Sequence, residues 1–250
     1  VDNTFYYKRE YNMKKLLVLT VALGIAQPAL AGNINLGNLT GGQASFRSVS
    51  EDLGSALSYK GVVPAESMGI TGFDLGLEVT QTNLAQSATL WNSLTGSDFS
   101  NLYVPKLHIT KGLPLNIDIG AFYSVVPTTD IKLMGGELRW AFMEGSTVMP
   151  AVAVRGALTK LSGVNQLSLD TKSVDVSISK GFAMLTPYAG VGQVWTNSTP
   201  DAATGFTAES FTQSKLFAGA NLNFGLTNLA IEFDKTGAAK STSFKLGFRF

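Results

Sequence analysis

The last eight residues read Ser243-Phe244-Lys245-Leu246-Gly247-Phe248-Arg249-Phe250, and their alternation decides the fold. Successive side chains of a β-strand point to opposite faces, so Phe244, Leu246, Phe248 and Phe250 share one face while Ser243, Lys245, Gly247 and Arg249 share the other. One face suits hydrocarbon and the other suits water. Working back along the chain, Leu229, Ile231 and Phe233 oppose Asn228, Ala230, Glu232 and Asp234, and Leu216, Ala218, Ala220, Leu222 and Phe224 oppose Lys215, Phe217, Gly219, Asn221 and Asn223. Toward the front the same pattern recurs in Phe73 to Thr80, Tyr103 to Ile109, Asn116 to Tyr123, Glu137 to Phe142 and Val152 to Leu158.

This period-2 pattern predicts about ten strands, roughly 73–81, 102–111, 115–125, 132–142, 148–159, 166–180, 185–195, 211–224, 227–235 and 241–250. Each is near the 9 to 11 residues that a tilted membrane strand needs. Two are weaker: the stripe in 166–180 changes parity between Leu169 and Val174, which reads as a bulge, and Gly190 and Gly192 blur 185–195. Connection lengths add a check. With a periplasmic N-terminus the outer loops begin near Thr82, Val126, Lys160, Thr196 and Thr236, and 82–101 and 196–210 are the longest; the inner turns at 112–114, 144–146, 181–183 and 225–226 are short. A soluble barrel also alternates, but it turns its apolar face inward and needs more charge outside, whereas the strand charges here share the face opposite the aromatics.

Composition agrees. Of 250 residues 45% are hydrophobic and only 15% charged, against about a quarter charged in ordinary soluble domains. No cysteine is present, so there is neither a disulfide framework nor a thiolate metal site. Met13-Lys14-Lys15, the apolar run Leu16 to Ala26 and Ala29-Leu30-Ala31 read as a signal peptide cut after Ala31; the run is too short to span a bilayer, which takes about 20 residues. Residues 1–12 read as an extension upstream of the start at Met13. Removing residues 1–31 takes four basic and two acidic residues and turns the net charge from +1 to −1, which leaves no basic footprint for nucleic acid.

The signal peptide, the alternating strands and the ending Phe248-Arg249-Phe250 resemble Gram-negative outer-membrane β-barrel proteins, small porin-like barrels that end in an aromatic residue. The resemblance covers 73–250. It implies an antiparallel transmembrane barrel in the bacterial outer membrane, with outer-membrane lipid, lipopolysaccharide and the barrel-assembly machinery as partners. It carries over no catalytic or binding residue.

Residues 32–72 do not alternate. Ser48-Val49-Ser50-Glu51 is a capping-box pattern, and Phe46, Val49, Leu53, Ala56 and Leu57 form one helical stripe, which predicts an amphipathic helix at about 46–59. Because an apolar stripe fits poorly into a polar lumen, the favoured expectation is a periplasmic helix over the barrel mouth; a plug inside the lumen is the other.

The face opposite the aromatics collects Asp74, Glu78, Lys106, His108, Asp118, Glu137, Arg139, Arg155, Asp175, Lys215, Glu232, Lys245 and Arg249. Buried charges must pair, so these residues form an ionic network filling the interior or line a narrow water path of weak ion preference. Trp91, Tyr103, Trp140, Tyr188 and Trp195 fall near predicted strand ends or loops, as interface-girdle residues do. A lone histidine, His108, without a serine motif gives no catalytic constellation and too few ligands for zinc, and Gly190-Val191-Gly192 lacks the helix that a phosphate loop needs. The expectation is a non-enzyme without cofactor or metal: a small passive channel or transporter for small molecules, apolar ones among them, or a structural, surface-interacting barrel with a filled lumen.

Overall fold

The computed structural model describes residues 35–84, 87–96, 100–125 and 131–250 and is a closed barrel of ten antiparallel strands. The predicted signal peptide and upstream extension lie outside these residues. The strands are β1 (Phe73–Asn83), β2 (Asn101–Leu113), β3 (Ile117–Val125), β4 (Lys132–Met143), β5 (Ala151–Ser162), β6 (Leu167–Ser179), β7 (Leu185–Pro200), β8 (Glu209–Phe224), β9 (Thr227–Thr236) and β10 (Ala239–Arg249). Each pairs with its sequence neighbours, and β10 returns to β1 in the register Leu77↔Leu246. Phe250 completes the seam: its carbonyl accepts the Phe73 N–H (2.7 Å) and its own N–H donates to the Phe73 carbonyl (3.0 Å).

The β2–β3, β4–β5, β6–β7 and β8–β9 turns lie at one end of the barrel, with Phe73 and Phe250; the two longest connections, β1–β2 and β7–β8, lie at the other, the loop end. Near the turn end the barrel is inside out. Phe244, Leu246, Phe248 and Phe250 point outward and are 40–61% exposed, as do Leu138, Leu158 and Phe233, while the charged side chains point in. Near the loop end both faces invert. Outward positions become Lys132, Lys160, Lys172, Asn197, Thr212, Ser214, Lys235 and Lys240, all exposed, while Leu102, Val104, Leu133, Leu161, Leu167 and Leu169 are buried inside. The strands change solvent part-way along their length.

This inversion explains the parity change in β6. Leu167 and Leu169 face the lumen and Val174, Val176 and Ile178 face outward, yet the register with β5 and β7 runs unbroken. There is no bulge in β6; the apolar stripe moves to the other face because hydrocarbon lies outside one half and inside the other. A register shift occurs instead between β4 and β5, at Trp140 to Met143.

A strand rises about 3.3 Å per residue, and a tilt of about 40° leaves roughly 2.5 Å of height. The outward stripe Leu216 to Phe224 therefore spans about 20 Å of the roughly 25 Å apolar band of such barrels. The turn tips supply the remainder: Leu115, Val148, Phe182, Met184 and Leu226 are all more than half exposed and continue the belt. With its lower edge at the turns, the belt leaves the loop-side third of the long strands β6, β7 and β8 in water.

Among the described residues, two α-helices accompany the barrel, α1 (Gly42–Leu57) and α2 (Ala88–Thr95). α1 begins a turn before the predicted capping box: Gly41, at φ 89°, turns the chain into it, Ser48 lies inside it, its hydroxyl donating to the Ala44 carbonyl (3.2 Å), and Glu51 pairs with Arg47 (2.7 Å) instead of capping. The helix is not a cover over the periplasmic mouth. It sits inside the loop end, where its stripe Phe46, Val49, Leu53, Ala56 and Leu57 meets the apolar lumen wall. The favoured expectation fails because it assumed one polar lumen from end to end.

Candidate functional site

The site is the lumen and the segment that fills it. The described chain starts at the loop end, where the Leu36 N–H donates to Gln166 Oε1 (2.7 Å). It turns through α1 and then descends to the turn end, where Lys111 Nζ donates to the Ile70 (2.8 Å) and Gly72 (3.1 Å) carbonyls just before β1.

In the upper half the contacts are apolar and hydroxylic. Phe46 stacks on Phe206 (centroids 5.2 Å apart), the Ser50 and Ser198 hydroxyls are 2.8 Å apart, and the Ser55 hydroxyl donates to the Thr236 carbonyl (2.9 Å). Gly54 lets the helix approach β7: a Cβ there would come within 2.5 Å of Thr196 Oγ1. α2 in the β1–β2 loop closes over α1 through Trp91, whose indole N–H donates to Asp52 Oδ2 (2.8 Å). Burial pushes the Asp52 carboxyl above the ordinary aspartate value, and the hydrogen bonds from Trp91 and Ser87 only partly offset it.

The lower half is charged, and its pairs join neighbouring strands. Lys106 meets Glu78 (2.7 Å), Arg139 meets Asp118 (2.6 Å), Arg155 meets Asp175 (3.0 Å) and Glu137 (3.4 Å), and Lys245 meets Asp74 (2.6 Å). Arg139 and Asp118, like Arg155 and Asp175, are direct cross-strand partners. Glu232 is buried beside Lys215 and Arg155, and Arg249 faces Asp74 at the turn end. His108 has Nε2 2.7 Å from the Tyr59 hydroxyl and Nδ1 3.6 Å from Glu78. The residues on the inward face thus line one charged wall, most of them in local pairs.

The descending segment threads this network mostly by its backbone. Arg139 donates to the Pro64 (2.5 Å) and Glu66 (3.3 Å) carbonyls, Lys215 to the Tyr59 carbonyl (2.8 Å), and the Met68 N–H donates to Asp118 (3.0 Å). Gly61 is required where the chain passes the Arg155 guanidinium, which a Cβ would strike. Among the described residues, Lys60 to Asp234 (3.1 Å) is the one ion pair that ties this segment to the charged wall. Carboxylates Asp74, Glu78, Asp118, Glu137, Asp175, Glu232 and Asp234 equal in number the cations Lys60, Lys106, Arg139, Arg155, Lys215, Lys245 and Arg249, which keeps the buried charge balanced.

Sequence reading missed Lys60, Tyr59 and Asp234 in this network. Asp234 shares the parity of Glu232 and was there to be found; Lys60 and Tyr59 sit in a stretch without periodicity. Two of the proposed girdle aromatics are also interior. Trp91 is fully buried beneath the loop and Tyr188 is buried in the lumen, whereas Trp140 and Trp195 are 49% and 43% exposed outside. Gly219 opens the space for the Tyr188 ring, which alternation alone does not reveal.

No protein-family model matches the chain, and no curated protein matches it. Among solved structures, similarity is found to a loop-deletion mutant of OmpT, an outer membrane protein of Vibrio cholerae (13% identity, 59% of this chain and 54% of that one, TM-score 0.32). It is also found to the KdgM porin in complex with disordered oligogalacturonate (4%, 71% and 99%, 0.37) and to the outer membrane protein OprG from Pseudomonas aeruginosa (10%, 75% and 99%, 0.31). The chain spans about half the length of the OmpT structure. Its own strand pairing and inverted lower half make it an outer-membrane-type β-barrel: closed, antiparallel, even in strand number and apolar outside.

Proposed function

We propose that the chain is an outer-membrane barrel that provides a passage for small molecules and is closed at rest by its own N-terminal segment. The observation that carries this reading is the division of the ion pairs. Those of the lower lumen join wall to wall, so withdrawal of the segment leaves a lumen lined by paired charges of both signs, a hydrophilic path of weak ion preference. One buried ion pair, the Arg47–Glu209 pair at the loop end (2.9 Å) and a set of backbone and hydroxyl hydrogen bonds hold the segment in place. Closure is nonetheless the resting state, because each large apolar side chain of α1 gains about 1.5–3 kcal/mol from burial.

The test locks the helix. Ser50→Cys with Ser198→Cys places two thiols where hydroxyls now meet at 2.8 Å, in a chain without cysteine. In planar bilayers the reduced double variant should show intermittent conductance and the oxidised form none, with recovery on reduction. Conductance unchanged by oxidation, or none from the parent and from Lys60→Ala, which releases the segment's buried ion pair, contradicts the reading. A second reading, a filled barrel that binds through its loops, is favoured by the Trp91–Asp52 bond, which fixes α2 as a rigid cap; surface binding that disappears when residues 88–95 are deleted from a silent barrel would support it.

A further inference from the structure

The barrel's glycines fall into two groups. A Cβ on Gly135 would strike Phe122, one on Gly190 would strike Phe217, and one on Gly219 would strike Tyr188; these glycines make room for the chain's own side chains. Gly136 and Gly156 do not. On Gly156 a Cβ would meet nothing within 4 Å, and on Gly136 the nearest atom would be a backbone oxygen 3.7 Å away. Both lie on the outer surface, on adjacent strands, and form the floor of a groove of ≈ 980 Å³ walled by Ile119, Leu138, Leu158 and Val174.

The groove ends at the upper edge of the apolar belt, against Lys172 and Trp195, which are cross-strand partners. Lys160 and Lys132 are the outward residues next above Leu158 and Met134 on β5 and β4. All three lysines are exposed, and among the described residues none makes an ion pair. Asp170, the acidic residue opposite Lys160, accepts a hydrogen bond from Asn197 (3.5 Å). An apolar trough thus runs down the lipid-facing wall from a cluster of unpaired cations at the height where lipid headgroups begin, flanked by an indole suited to that boundary.

We propose that this face holds an anionic lipid, its phosphate on Lys132, Lys160 and Lys172 and an acyl chain in the groove over Gly136 and Gly156. The groove is continuous with the lipid-facing belt, and the lysine charge selects the headgroup. The site is independent of whether the lumen opens.

Native mass spectrometry of the full chain, released from nanodiscs of equal phosphatidylcholine and phosphatidylglycerol, tests it, with heat-modifiable gel migration confirming that each variant is folded. The parent should retain phosphatidylglycerol about tenfold over phosphatidylcholine. Lys132→Gln/Lys160→Gln/Lys172→Gln should bring that preference to within about twofold, and Gly156→Leu, which fills the groove, should lower retention of both lipids; Gly136→Val serves if Gly156→Leu does not fold. A parent without preference, a preference that survives in the triple variant, retention unchanged by filling the groove, or a groove occupied by a second copy and seen as a dimer mass overturns the proposal.

Discussion

The lower and upper halves of this barrel are built from the same strands with opposite chemistry. Below, charge fills the lumen and hydrocarbon covers the wall; above, leucines fill the lumen around α1 and lysine, serine and asparagine cover the wall. The lower half is organised as a membrane protein is, and the upper half as a soluble β-barrel is, with a helix as its core. The difference shows that solvent, and not strand pairing, decides which face of a strand is apolar, because the hydrogen-bonded register of β6 passes through the change unbroken.

The largest effects should come from removing interior groups of either kind. Arg155→Ala strips the partner from Asp175 and Glu137, and an uncompensated buried charge costs about 3–5 kcal/mol, read as a lowered urea midpoint in lipid vesicles. Leu53→Ala in the upper core should cost about 2–5 kcal/mol by the same measurement, through lost burial and a cavity beneath α1. If both halves had a charged interior, the second loss would be far smaller than the first. On the outer wall the halves should separate more sharply. Leu138→Lys puts charge against hydrocarbon and should cost about 2–4 kcal/mol near the bilayer midplane, whereas Ser214→Lys should shift stability by less than about 0.5 kcal/mol.

A smaller effect concerns pH. Burial raises the Asp52 carboxyl above its ordinary value of 3.8, so the folded state favours the protonated form; the stability it contributes is fully present below that value and is lost as pH rises through the folded value. Asp52→Asn keeps the acceptor for Trp91 and should remove this slope, measured as urea midpoints of parent and variant across that range.

Much of the architecture was legible because alternation is a direct consequence of strand geometry. The stripes Phe244 to Phe250 and Leu216 to Phe224 place their strands within a residue or two, and the parity of Asp74, Arg139 and Lys245 gives their facing. What alternation could not give was the second solvent. Its trace was present, in Leu167 and Leu169 against Val174 and Val176 and in Leu102 and Val104 against Leu107 and Ile109, but a parity switch in one strand looks like a bulge until several strands switch at one height. The path of residues 58–72 was illegible for a different reason: that segment is held by carbonyls and backbone N–H groups, as in the Arg139 and Met68 bonds, and any sequence supplies those. The Trp91–Asp52 contact was likewise invisible, since it joins a loop helix to the helix in the lumen.

The inversion of the two faces is set by where water begins along the outer wall. Single cysteines at Leu138 and Leu246 below, and at Asn197 and Ser214 above, can carry spin labels in a chain that has no cysteine of its own, and their collision rates with oxygen and with a water-soluble nickel chelate in lipid vesicles report depth. Water over the loop-side wall predicts oxygen-dominated collisions at 138 and 246 and nickel-dominated collisions at 197 and 214. Oxygen-dominated collisions at all four would contradict it, placing the whole barrel in hydrocarbon.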